Sequence, residues 1–150
     1  MPDLDSNAVH QFFSVHCFNA AWELIDKSER TPEENEEMIQ RTMASLWHWN
    51  QREDCTPTNL SIGYWKAARV YALAGEADNA LKYSRLSLEV TPADNPFCLG
   101  YAHEAMARAE SLAGNDVPAK EHLEMAKRLA AKVEKTDDRK LLENDLMTIL

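Results

Sequence analysis

Two glycines most constrain what this chain can fold into. Setting Gly75 on Gly114 brings "ARVYALAGEADNALKYSRLSLEVTP" over "ARAESLAGNDVPAKEHLEMAKRLA", an offset of 39 residues. Small residues then coincide at Ala68/Ala107, Ala72/Ser111, Ala80/Ala119 and Ser87/Ala126. Glycine at the end of a helical pattern supplies the left-handed residue that closes a helix. Small residues recurring around such a turn let two helices cross closely, within one hairpin and against the next. Self-similarity at this period means stacked helix hairpins, each burying a face that it could not bury alone.

The rest of the chain reads the same way. A first helix runs from about Ser6 to Lys27, with Asp5 or Ser6 as its cap. In "SERTPEEN", Thr31 can cap and Pro32 suits the first helical position, so a second helix runs to about Gln51. Thr58 or Asn59 opens a third that stops at Gly75, and a fourth ends before Pro92. A fifth spans Asn95 to Ala113, and a sixth starts after Asn115 or Asp116 and runs to about Glu134. The last is capped by Thr136, with Leu142, Leu146 and Ile149 in one stripe. No segment alternates with the period of two that a strand needs. The expectation is an all-α fold of about seven helices in one domain. Its antiparallel pairs lie at 6–51, 58–91 and 95–134, and a capping helix at 136–150.

Composition narrows the function. With 150 residues, 45% of them hydrophobic, the chain can bury a core without staples. A net charge of −9 disfavours nucleic acid and anionic membrane surfaces as partners. Cys17, Cys55 and Cys98 are an odd, widely spaced set that forms neither a disulfide framework nor a zinc motif. Cys17 reads as a small buried hydrophobe and Cys55 as the most exposed thiol. The acidic start "MPDLDSNAVHQFF" does not read as a secretory signal, and no run is long enough to span a membrane. A cytoplasmic location is expected.

No catalytic or metal motif emerges. His10 and His16 are about 120° apart on a helix, and His103-Glu104 and His122-Leu123-Glu124 diverge. There is no H-E-x-x-H, no G-x-S-x-G and no phosphate-cradling glycine loop. No enzyme activity, cofactor or metal is expected. In "SLWHWNQ", a projection at about 100° per residue puts Trp47 and Trp49 at opposite edges of an apolar arc with Met38, Ile39, Thr42, Met43 and Leu46. His48 points away, among Glu37, Arg41, Ala44 and Arg52, so the motif reads as packing between hairpins.

The stretch from about Ser61 to Ala131 resembles tetratricopeptide (TPR) repeats, of the longer-repeat kind found in bacterial proteins of unassigned function. Tyr64, Ala68, Tyr71, Gly75, Ala80 and Pro92 fall at the family's characteristic positions, with Ser84 replacing an aromatic. Ala107, Gly114, Ala119 and Ala126 fit the second copy, where Glu110 replaces an aromatic and no proline closes the repeat. The resemblance implies a right-handed superhelix with a terminal solvating helix. It also implies a concave groove lined by Ile62, Trp65, Lys66, Arg69, Ala72 and Leu73. Tyr101, Glu104, Ala105, Arg108, Ser111 and Leu112 line its next turn.

Arg69 and Arg108 then sit on neighbouring helices, about 8–10 Å apart. Aromatic anchors beside arginines suit a peptide-binding surface. The expected function is a non-enzymatic protein–protein interaction module that takes a peptide or helix, with Asn19, Trp22 or Glu23 on the far wall. The partner is an acidic protein segment if Arg69 and Arg108 are free; alternatively they pair with acids such as Glu104. The competing reading is a helical sensor whose pocket is made by Trp22, Trp47, Trp49, His16 and His48. A homodimer about a two-fold axis is a third arrangement.

Overall fold

The computed structural model describes residues 4–149. Among them the chain is all-α, with seven helices: α1 Ser6–Ile25, α2 Pro32–Gln51, α3 Pro57–Leu73, α4 Ala77–Val90, α5 Pro96–Leu112, α6 Asp116–Ala130 and α7 Thr136–Leu146. The pairs α1·α2, α3·α4 and α5·α6 pack most extensively; α3 also meets α2 and α5, and α4 meets α5. Helix α7 lies on α5 and α6.

The helix starts follow from local chemistry. Asp5 accepts from the amides of Asn7 and Ala8, and Thr31 forms a reciprocal capping box with Glu34 ahead of Pro32. The third start is one cap earlier than Thr58 or Asn59. Thr56 and Asn59 make a second capping box, which leaves Pro57 in the first helical position, where a missing N–H costs nothing. Helix α5 starts at Pro96 rather than at Asn95, which instead caps it by accepting from the Cys98 amide. Thr136 is the first residue of α7 rather than its cap; Lys135 takes that place without a side-chain bond.

The ends show the repeat most clearly. Gly75 and Gly114 have φ of +79° and +81°. The Glu76 amide donates to the Tyr71 carbonyl and the Asn115 amide to that of Glu110, each at 2.9 Å. These are two copies of one Schellman closure, and a β-carbon at either glycine would be strained by its φ. Helix α1 has no such glycine. The Arg30 guanidinium instead donates to the carbonyls of Leu24, Ile25 and Lys27, and the helix ends at Ile25 rather than Lys27. Helix α6 also ends early, at Ala130 rather than Glu134. The following residues tighten into bonds from Lys132 to Leu129 and from Val133 to Ala130, which turns Val133 into the core.

Packing follows the small residues. Ala68, Ala80, Ser87, Ala107, Ala119 and Ala126 are all buried, whereas the pair Ala72/Ser111 is only half-buried. Ser84, in place of an aromatic, is filled in by Met106, whose sulfur receives its hydroxyl. Leu142, Leu146 and Ile149 join Ala107, Leu123, Ala126 and Ala130 in one core cluster. At Gly100 a β-carbon would come within 2.6 Å of Leu142, so α7 seats where α5 has no side chain.

The α1·α2 seam differs from the reading of "SLWHWNQ". Trp47 is 56% exposed instead of packed. His48 faces α1, where its Nδ1 lies 2.9 Å from that of His10. Arg41 reaches the Ala20 carbonyl and Glu23, Arg52 donates to Ser14, and Ser45 donates to the Ser14 carbonyl. The seam is thus laced with polar bonds that an apolar-arc argument assigns to solvent. Cys17 is only half-buried, as is Cys55, and Cys98 is buried.

Candidate functional site

Helices α1, α3, α5 and α7 surround a network built on one carboxylate. Glu104 of α5 is fully buried. One of its oxygens accepts from the Trp65 indole at 2.9 Å. The other accepts from Arg69 at 2.9 Å and from Arg108, one helical turn along α5, at 2.8 Å. Trp65 and Glu104 stand at equivalent places in the two repeats, as do Arg69 and Arg108. The repeat therefore delivers both cations and the anion to one point. The Arg108 guanidinium also reaches the Asp145 carbonyl in the last turn of α7 and the Thr148 hydroxyl just past it.

Arg69 and Arg108 are accordingly tied inward. A buried charge needs such partners, since desolvation without compensation is costly. The condition on which an acidic partner was expected, two free arginines, is not met. Lys66 is likewise drawn in, being 1% exposed. Its ammonium donates to the Phe18 carbonyl of α1 and lies 3.4 Å from the Phe18 ring centroid and 4.6 Å from that of Trp22. Burial pushes its pKa down to about 7, with Asp26 pulling weakly the other way. Lys66 acts as a strut between α1 and α3 and does not line an open face.

Beside this network lies a cavity of about 220 Å³, lined by Trp22 of α1, Ile62 and Trp65 of α3, Phe97 and Tyr101 of α5, and Leu141 and Asp145 of α7, with Ser61 and Cys98 behind. The rings interlock: Trp22 and Trp65 centroids are 6.3 Å apart, Trp65 and Tyr101 5.2 Å, and Phe97 and Tyr101 5.1 Å. Ile62 is 38% exposed at the mouth. The Tyr101 hydroxyl donates to Asp145 at 2.7 Å; burial first, then this bond to a carboxylate, raises the phenol pKa far above its usual value.

Of the expected groove residues, Ile62, Trp65 and Tyr101 line the cavity, while Lys66, Arg69, Glu104 and Arg108 form the framework behind or beside it. Phe97, Leu141 and Asp145 were missed. Leu141 and Asp145 are four residues apart on α7, off the Leu142–Leu146–Ile149 stripe. A leucine outside the stripe was the available signal for a second contact face. Of the competing Trp/His set, Trp22 lines this cavity, while Trp47, Trp49, His16 and His48 lie outside its lining.

Two histidine pairs each bridge the two helices of one hairpin. His103 and His122 have their Nδ1 atoms 3.0 Å apart, and His10 and His48 make the corresponding contact across α1·α2. Tyr64 and Tyr83, one repeat before His103 and His122, stack in the same relation. Burial, then the neighbouring His122, pushes His103 down to about 4; burial also lowers His122 and His48. Among the described residues, no three His, Cys, Asp or Glu side chains converge to hold a metal ion, and no helix is long and apolar enough to cross a membrane. Compared with protein-family models, with curated proteins and with solved structures, the chain matches none.

Proposed function

We propose that this protein is a non-enzymatic interaction module of TPR-like design, which holds a segment of a partner protein, a peptide or a helix, along the face formed by α1, α3 and α5. The observation that carries the reading is the aromatic-walled cavity with exposed Ile62 at its mouth. Large aromatic rings in a partly desolvated pocket are the usual anchors of a small interface. The buried Arg69–Glu104–Arg108 network and the Lys66 strut support it by holding that face rigid, so little ordering cost falls on binding. Helix α7 shapes one wall, so the site takes one anchoring side chain and its neighbours rather than a long segment.

The test is to pan a displayed random-peptide library against the protein, counter-selecting with Ile62→Arg, a substitution at an exposed helical position that fills the mouth. The reading expects peptides that bind the parent protein and are lost with Ile62→Arg while helicity by circular dichroism is unchanged. Recovery of no peptide sensitive to Ile62→Arg would sink it.

A further inference from the structure

We infer that the anchor this cavity takes is a cationic side chain on an apolar stem, a lysine or arginine of a partner peptide, whose charge rests on Asp145. The inference builds on the peptide-binding reading and gives its site a charge preference opposite to the one the sequence suggested.

Asp145 is the one charged residue among the described residues lining the cavity. Its Oδ2 accepts from Tyr101 at 2.7 Å and stands 3.8 Å from Arg69. Among the described residues, no hydrogen bond reaches its Oδ1, and the side chain is 29% exposed. Glu104 and Asp145 balance Arg69 and Arg108, which leaves Lys66, held down to about 7 by burial, as the one further cation beside the cavity wall among the described residues. The whole chain is at −9, which favours the approach of a basic segment.

Each class of anchor meets these groups differently. A purely apolar side chain would satisfy the ring faces of Trp22, Trp65 and Tyr101 but strip water from the Asp145 carboxylate without replacing it. An acidic side chain would meet Asp145 as a like charge. A lysine or arginine lays its methylenes against the rings, gains attraction from their faces, and brings a donor to the open oxygen.

The test uses three capped, otherwise uncharged alanine–serine peptides that differ at one central residue: lysine, norleucine or glutamate. They are titrated into the protein and into Asp145→Asn, whose amide oxygen can still accept from Tyr101, with tryptophan emission as the readout. The lysine peptide is expected to bind about tenfold or more tighter than the norleucine peptide, as for a bond to a charged group. Asp145→Asn should bring it to the norleucine level and leave norleucine binding unchanged. The inference is overturned if norleucine equals lysine, if lysine binding survives Asp145→Asn, or if no peptide binds. Norleucine binding that disappears in Ile62→Arg, with no lysine preference, would overturn the charge assignment and leave the groove standing.

Discussion

Replacing Glu104 by glutamine tests the network that holds the groove. Gln keeps the size and one carbonyl acceptor for the two guanidinium groups, but it removes the charge and turns an NH2 donor towards the Trp65 indole N–H. Breaking a buried ion pair by removing one partner costs about 3–5 kcal/mol. Two features moderate that here. The Arg69 and Arg108 side chains are 14% and 20% exposed, and Asp145 remains 3.8 Å from Arg69. A loss of about 2–3 kcal/mol is therefore expected. For a chain of this size each kcal/mol moves the midpoint by about 2–4 °C, which gives a fall of about 4–12 °C. Urea unfolding followed by far-ultraviolet circular dichroism measures it directly. A Glu104→Gln protein within about 0.5 kcal/mol of the parent, the range of ordinary surface changes, would refute the reasoning.

Two further predictions concern titration. Lys66 has a folded pKa of about 7 against 10.5 for an ordinary lysine. Between these values the unfolded chain binds the extra proton, so stability should rise as pH climbs from about 7 to 10.5. Lys66→Met should flatten that rise and be neutral or stabilising at pH 7, because the Phe18 carbonyl keeps its place in the α1 ladder; an unchanged slope in urea midpoints would contradict this. His103, held near 4 against 6.5, is neutral in the folded state, and its contribution is complete above 6.5 and lost as pH falls towards 4. His103→Gln should lessen the acid loss of stability across that window, again read from urea midpoints, and an identical acid limb would count against the buried pair.

Local chemistry was legible from the sequence because it depends on residues a few positions apart. Gly75 and Gly114 close their helices, Thr31 and Pro32 open α2, and Leu142, Leu146 and Ile149 share one buried stripe. Thr56 escaped notice because Thr58 and Asn59 offered equally plausible caps, and the reciprocal bond to Asn59 decides between them. The repeat placed Trp65, Arg69, Glu104 and Arg108 on one face, yet a face does not say whether its charges look outward or at one another. That depends on how closely α3 approaches α5, which lets Trp65 and Arg69 reach Glu104, and on Asp145 of α7 and Thr148 beyond it, which lie far along the chain. His48 was misread for a related reason: α2 contacts α1 through a polar edge, which an apolar projection assigns to water.

The most direct measurement of the account is the set of indole N–H resonances of the four tryptophans, recorded as a peptide recovered by panning is added. Trp22 and Trp65 line the cavity, whereas Trp47 lies beside His10 on the far hairpin seam. The Trp22 and Trp65 signals are expected to shift together and saturate while Trp47 stays fixed. Movement of Trp47 with Trp22 and Trp65 unchanged would place binding elsewhere and contradict it.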